Sequence, residues 1–127
     1  MIAEAAAAHP RECCGIMLGR DGVVEAVVPC DNVHPLPEHH FEIDPAALIA
    51  AHRAARGDGP DILGYYHSHP SGFAEPSATD AAMAAGDGRF WAIVAQGAVG
   101  WWRDGLGVAK AGVFEGCGQP PERLPQD

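Results

Sequence analysis

Two histidines and one carboxylate are the residues whose types and spacing point most directly to chemistry. His67 and His69 stand two positions apart at the end of a predicted strand, and Asp80 follows in the first turn of a predicted helix. Because side chains alternate along a strand, both imidazoles are expected on one face. The loop between them can bring the helix start back over the strand end. Two imidazole nitrogens and one carboxylate oxygen suit zinc and leave a fourth position for water.

Each of these residues also has an interpretation that requires no metal. The Ser77-x-x-Asp80 pattern is typical of a helix capping box, and single histidines are common polar residues at strand ends. The combination favours a ligand set, since Ser77 can cap the helix while Asp80 faces a metal. A metal-activated water also needs a proton acceptor, and spacing does not choose among carboxylates such as Glu12, Glu38 and Glu75. Glu12 has one local argument, because it stands just before a predicted strand.

The elements that would position these residues are a mixture of strands and helices. Asp44-Pro45 is a helix start, and Asp21-Gly22 is a hairpin turn signal. The sequence predicts helices over residues 2–8, 45–56 and 77–85, and strands over residues 13–19, 22–28, 39–43, 62–67, 90–95, 99–103 and 108–114. This order predicts an α+β (mixed α/β) fold, with a central mixed β-sheet flanked by helices.

The length and composition limit the domain organisation and the partners. The chain has 127 residues, which predicts a single domain over residues 1–127, with residues 116–127 as a flexible tail. The net charge is −9 and no basic stripe is present, so nucleic acid is not an expected partner. No apolar run approaches the length of about 18 residues that a membrane span needs. The oligomeric state stays open.

The cysteines and the N-terminus predict the compartment. The four cysteines include no C-x-x-C pair, and two of them, Cys13 and Cys14, are adjacent. Such spacing is not typical of a disulfide scaffold. The first residues also lack the basic region and the apolar region of a secretory signal. We therefore expect a cytoplasmic protein with reduced thiols.

Two segments resemble a known family. Residues 67–80, HSHPSGFAEPSATD, are similar to the H-x-H-P…P-S-x-x-D signature of the JAMM (MPN-plus) zinc metallopeptidases. Residues 9–15, HPRECCG, resemble the P-x-E-x-C-G entry segment of the same family. The similarity extends over roughly residues 9–115 and fits a compact, prokaryotic-like member. The resemblance implies a JAMM/MPN domain with layering like that of cytidine deaminases.

The resemblance also implies roles for individual residues. His67, His69 and Asp80 would hold one Zn²⁺ ion. Glu12 would be the general base, and later the general acid, for a zinc-bound water, and Ser77 would stabilise the oxyanion. The implied substrate is a ubiquitin-like or sulfur-carrier protein, cut after its C-terminal Gly-Gly by peptidase or isopeptidase action. We expect that tail to enter as an extended strand along the segment 71–75, taken to be flexible.

Two other functions remain open at this stage. The first is a non-catalytic MPN-type scaffold or protein-binding module, although such relatives usually lose metal ligands that this chain keeps. The second is a DNA-repair-associated branch of the family, which has a similar H-x-H-P-S-G motif to that at His67 to Gly72. The net charge of −9 and the lack of a basic segment disfavour that branch.

Overall fold

A computed structural model describes residues 1–118 of the chain. Its helices are α1 (Ile2–Ala8), α2 (Pro45–Arg56) and α3 (Ala78–Met83), with a 3₁₀ turn at Val108–Lys110. Its strands are β1 (Cys14–Arg20), β2 (Val23–Cys30), β3 (Asp61–Ser68), β4 (Phe90–Ala95), β5 (Ala98–Arg103) and β6 (Glu115–Gly116). The strands form one six-stranded sheet in the order β2-β1-β3-β4-β5-β6. Strands β3 and β4 are parallel and the other neighbours are antiparallel, so the predicted mixed sheet is confirmed.

Two tight hairpin turns connect neighbouring antiparallel strands, one between β1 and β2 and the other between β4 and β5. Asp21 and Gly22 connect β1 to β2 with φ values of 54° and 77°. Gln96 and Gly97 connect β4 to β5 with φ values of 53° and 75°. Two consecutive positive φ values fit the type I′ turn, which matches the natural twist of paired strands. The Asp-Gly signal in the sequence therefore predicted its hairpin correctly.

Alternation along the strands divides the core into two layers. On one face, Met17 and Tyr66 belong to a buried cluster against which Ile2 and Ala5 of α1 pack. On the other face, Ile16 belongs to a cluster that also contains Phe41 and Trp91, packed against α2 and the end of α3. Helix α1 thus covers one side of the sheet, and α2 and α3 cover the other. Because His67 follows Tyr66 in β3, its imidazole faces the α2–α3 side.

The strand predicted over residues 39–43 does not form. This segment makes a single antiparallel bridge between Ile43 and Asn32. Phe41 and Ile43 are buried even so, because they pack under α2 as part of a loop. The apolar residues in this segment therefore reported burial and not strand pairing.

The strand predicted over residues 108–114 is also wrong. The chain forms a 3₁₀ turn there and pairs with β5 only at residues 115–116. Gly107 and Gly112 have φ values of 95° and 81°, a region that β-strands do not use. Helix α3 is shorter than the predicted 77–85 as well, since it ends at Met83 and Ala84 is extended.

The start of the predicted tail is attached to the sheet. Gly116 pairs with Trp102, and the Cys117 amide donates to the Trp101 carbonyl at 2.8 Å. The rest of the predicted tail, residues 119–127, lies outside the described residues. Within residues 1–118, no helix combines the length and the apolar character that crossing a membrane requires.

Asp104 is a buried carboxylate that fastens the segment after α3 to the segment after β5. It is 3% exposed and accepts hydrogen bonds from the Gly86 and Gly112 amides at 2.8 and 2.9 Å. We expect Asp104→Ala to lower the free energy of unfolding by about 2–4 kcal/mol, since two amides lose a charged acceptor. Urea unfolding measures this, with the exposed Asp58→Ala as the control. A loss below about 0.5 kcal/mol would contradict this role for Asp104.

Candidate metal centre

Both histidines lie at the C-terminal end of β3, on the same face of the sheet. His67 is paired in register with Ile93 of the parallel neighbour β4. His69 follows the end of β3, and its amide donates to the Val94 carbonyl at 2.8 Å, which continues the ladder. The backbone therefore stays extended through His69, and the period of two brings both imidazoles to the α3 side.

The start of α3 brings the carboxylate to the same point. The Ser77 hydroxyl accepts a hydrogen bond from the Asp80 amide at 3.0 Å, and the Asp80 carboxylate accepts one from the Ser77 amide at 3.0 Å. This reciprocal pair is the capping box that the sequence predicted. Both bonds fix the first turn and so hold the Asp80 carboxylate toward the two histidines, since the Oδ2 atom that accepts from the Ser77 amide also faces both imidazoles.

Three ligand atoms converge where these elements meet. The Nε2 atoms of His67 and His69 are 3.0 Å apart, and each is 3.1 Å from Oδ2 of Asp80. His69 is fixed further, because its Nδ1–H donates to the Phe73 carbonyl at 2.8 Å. In the neutral imidazole this bond leaves the lone pair on Nε2 of His69 directed at the cluster. The structure thus brings together all three residues predicted to hold a metal.

Burial and hydrogen bonding set the charges of this cluster. Burial lowers the pKa of His67, which is fully enclosed and stacks on the Phe41 ring at a centroid distance of 4.2 Å. Burial alone would raise the pKa of Asp80, but the hydrogen bonds with both histidines hold that pKa far below its ordinary value. Burial would likewise lower the pKa of His69, and its bonds to Asp80 and Phe73 outweigh this and raise it.

The donor set fits a single divalent metal ion. A neutral imidazole at His67 and an ionised Asp80 are the protonation states that ligate metals. Ligand atoms around a tetrahedral zinc ion lie about 3.3 Å from one another, close to the separations found here. Among residues 1–118, these three side chains are the one group of metal-binding type that converges in this way. Three protein ligands leave a fourth position open, as in a catalytic zinc site.

Glu12 lies beside this cluster but outside it. It precedes β1, whose first residue Cys14 pairs with His67. This pairing brings Glu12 to the end of the sheet where the two histidines lie. A cavity of about 200 Å³ opens there, and Glu12, His69 and Ser77 all line it. Glu12 is 6% exposed, and burial raises its pKa to about 7, helped by the Asp80 charge and opposed by His69. Its carboxyl can therefore take up and release a proton near neutral pH.

Ser68 is a positioning residue that the sequence did not single out. Its hydroxyl accepts a hydrogen bond from the Cys13 amide at 2.8 Å, and its own amide donates to the Cys13 carbonyl at 3.1 Å. Ser68 stands between the two histidines, and alternation turns it to the opposite face. The alternation was visible in the sequence, but the partner 55 residues away was not.

The loop between the histidines and α3 is anchored, contrary to the flexibility expected for residues 71–75. Three consecutive carbonyls of this loop accept hydrogen bonds from side chains. The bonds run from Gln96 Nε2 to Gly72 at 3.1 Å, from His69 Nδ1 to Phe73 at 2.8 Å and from Trp102 Nε1 to Ala74 at 3.0 Å. Each of these three carbonyls already has a side-chain partner, and the bonds hold this side of the loop in place.

The sequence of this chain matches a known protein family. A family model described as prokaryotic homologs of the JAB domain matches residues 1–104. The chain belongs to this JAB-domain family. The match covers both metal-ligand segments and the Glu12 segment, and it confirms the resemblance to the JAMM-type proteins.

Named relatives of this JAB-domain chain occur in distant bacteria. The chain is 45% identical over 71 residues to a probable TtuB-protein conjugate cleaving protease of Thermus thermophilus. The matched segment covers 56% of this chain and 47% of the relative. It is 31% identical over 86 residues to the CysO-cysteine peptidase of Mycobacterium tuberculosis, which covers 66% of this chain and 58% of the relative. The chain thus spans about half the length of these relatives.

A solved structure supports the fold. The solution structure of a protein from Desulfitobacterium hafniense superimposes with a TM-score of 0.74 at 30% sequence identity. The superposition covers 91% of this chain and 82% of that chain. The mixed sheet with helices on both faces is therefore an arrangement shared with a protein whose structure was determined experimentally.

Proposed function

We propose that this JAB-domain chain is a zinc-dependent peptidase or isopeptidase. It would hydrolyse the bond after the C-terminal Gly-Gly of a ubiquitin-like or sulfur-carrier protein. The observation that carries the proposal is the convergence of His67, His69 and Asp80 within 3.0–3.1 Å beside the buried carboxyl of Glu12. The names of the relatives support the substrate class, since one is named a probable TtuB-protein conjugate cleaving protease and another a CysO-cysteine peptidase.

The residues of the chain divide the chemical work among them. A zinc ion, when bound by the two histidines and Asp80, supplies a Lewis acid that polarises the scissile carbonyl and acidifies water. Glu12 takes a proton from the attacking water as the water oxygen bonds to the carbonyl carbon. Glu12 then delivers that proton to the leaving nitrogen as the carbon–nitrogen bond breaks. Burial raises the pKa of Glu12 to about 7 in the metal-free protein, and the positive charge of a bound zinc ion would lower it from there toward the ionised form that accepts a proton.

Ser77 is suited to the oxyanion that develops on the carbonyl oxygen. Its hydroxyl oxygen already accepts from the Asp80 amide, so the position of the oxygen is fixed by the capping box. The hydroxyl proton remains available as a donor, and Ser77 lines the same cavity as Glu12. The same residue would thus both start α3 and stabilise negative charge.

The proposal includes the compartment and the partners. All four cysteines are free, including Cys14 and Cys30, which are paired in register on β1 and β2. Free thiols at neighbouring positions are typical of a reducing environment, so we place the protein in the cytoplasm. We expect the partner to be the carrier protein itself, with neither nucleic acid nor a membrane surface involved. The complete set of ligands argues against the non-catalytic scaffold.

The direct test is cleavage of a carrier protein fused to a short peptide through its Gly-Gly terminus. We expect mass spectrometry to find the free Gly-Gly end after incubation with the zinc-loaded protein. A chelator should remove the activity, and added zinc should restore it. A fusion whose last two glycines are replaced by alanine is the matched control. Cleavage that persists after complete metal removal would contradict the proposal.

A further prediction concerns the penultimate glycine of the carrier. A Gly-Gly tail has almost no side-chain surface, so the backbone must approach the cavity between Glu12 and Ser77 closely. Replacing that glycine by valine is expected to lower kcat/KM by about 10²-fold, because the carbonyl would be displaced from the reacting groups. Steady-state kinetics on the fusion measures the effect. Valine introduced six residues upstream is the control, and equal effects at both positions would argue against the Gly-Gly class.

A further inference from the structure

The side-chain amide of Asn32 is used from both ends. Its Nδ2 group donates to the carbonyl of Glu12 at 3.1 Å and to the carbonyl of His40 at 3.0 Å. Its Oδ1 atom accepts from the amides of His34 and Glu42, both at 3.1 Å. Asn32 therefore joins the segment 34–42 to the residue that precedes β1.

The backbone of Glu12 is held at both of its polar groups by this arrangement. The Glu12 amide donates to the carbonyl of Pro37 at 2.7 Å, and the Glu12 carbonyl accepts from Asn32. Residue 12 lies outside β1, so no ladder of the sheet fixes it directly. Ser68 holds the next residue, Cys13, but the polar backbone groups of Glu12 itself are held by Pro37 and Asn32, and Asn32 also bonds the segment 34–42.

We propose that Asn32 is a positioning residue for catalysis, which holds Glu12 against the metal centre through the Glu12 carbonyl. This inference rests on the proposed function, because it takes Glu12 as the general base. A base acts well only when its carboxyl is held within a fraction of an ångström of the proton it moves. Asn32 does not line the cavity that contains His69 and Ser77, so its removal should change neither metal nor substrate binding directly.

Two variants separate the halves of the Asn32 amide. Asn32→Ala removes every bond, whereas Asn32→Asp keeps an acceptor for the His34 and Glu42 amides and loses the donor to Glu12. We expect both variants to lower kcat on the carrier fusion at least tenfold, with KM and zinc content within twofold of wild type. Asp44→Ala is the matched control: it removes the N-cap of α2 at the far end of the same loop and has no bond to Glu12. It should lower the melting temperature and leave kcat unchanged.

A double-variant cycle shows whether Asn32 acts through Glu12. If it does, adding Asn32→Ala to Glu12→Gln should lower kcat no further, because the base is already absent. An equal tenfold loss in both backgrounds would overturn the proposal, as would unchanged kcat in Asn32→Ala with only a lower melting temperature. If Asn32→Ala fails to fold, the same comparisons with Asn32→Asp decide. Failure of the wild type to cleave, or full activity of Glu12→Gln, would instead overturn the proposed function and this inference with it.

Discussion

Replacing Glu12 by glutamine is expected to abolish nearly all turnover while zinc remains bound. The amide keeps the size of the side chain but cannot accept a proton from water, and a positioned base contributes about 10²–10⁴-fold to the rate. Because Glu12 lies outside the group of converging ligand atoms, the metal content should not change. Single-turnover cleavage of the carrier fusion and metal analysis of the same sample measure both quantities. Activity equal to that of the wild type would assign the base to another carboxylate.

The same variant should change the pH dependence of stability in the metal-free protein. Burial raises the pKa of Glu12 from 4.5 to about 7, so between these values the folded state holds a proton that the unfolded state has released. Wild-type stability therefore falls as pH rises through this interval. At pH 8 we expect Glu12→Gln to melt roughly 3–10 °C higher than the wild type, and at pH 4 the difference should vanish. A constant difference across this range would mean that Glu12 is not desolvated.

Replacing His67 by alanine is expected to remove both the metal and the activity. His67 supplies one of three converging ligand atoms, and it is the most deeply buried of the ligands. Loss of one of three ligands should reduce zinc from one equivalent to almost none, and turnover should fall by at least the 10²-fold expected for Glu12→Gln. Metal analysis after gel filtration measures the binding. The matched control is His52→Ala on α2, which should retain one equivalent.

His67→Ala and His69→Ala can be distinguished by their melting temperatures. His67 stacks on Phe41 and contacts the edge of Trp91, so His67→Ala also leaves a cavity in the core. His69 is only half-buried, and its replacement should lose the metal with a smaller change in melting temperature. Zinc bound with equal affinity by both variants and the wild type would place the metal elsewhere.

Local patterns predicted the convergence of His67, His69 and Asp80 because each signal was carried by neighbouring residues. The period of two placed His67 and His69 on one face, and the capping pattern placed Asp80 at the start of α3. Both rules depend on backbone geometry within a few residues. The choice of Glu12 among the carboxylates was different, since it depends on β1 pairing with β3, which local spacing does not specify.

Long-range hydrogen bonds account for what the sequence could not predict. Asn32 reaches a carbonyl 20 residues earlier, and Ser68 reaches an amide 55 residues away. The segment 39–43 was misjudged because an apolar residue is buried equally well in a loop that packs under a helix. The segment 108–114 was misjudged for a different reason, since Val108 and Val113 are exposed and their apolar character reports neither burial nor pairing. In that segment the positive φ of Gly112, and of Gly107 just before it, also turned the chain out of strand geometry.

The anchoring of the loop between the ligands has a consequence for how selectivity could be redesigned. The loop is tied down through the carbonyls of Gly72, Phe73 and Ala74, while the Phe73 side chain is 72% exposed. Main-chain carbonyls are present whichever amino acid occupies a position. The side chains of this loop can therefore be exchanged, in a library or during divergence, without disturbing the contact that orients His69. Under the proposed function, variation in the accepted substrate can accumulate within a few residues of His69 and Asp80, at a part of the surface where substitution keeps the carbonyl that orients His69.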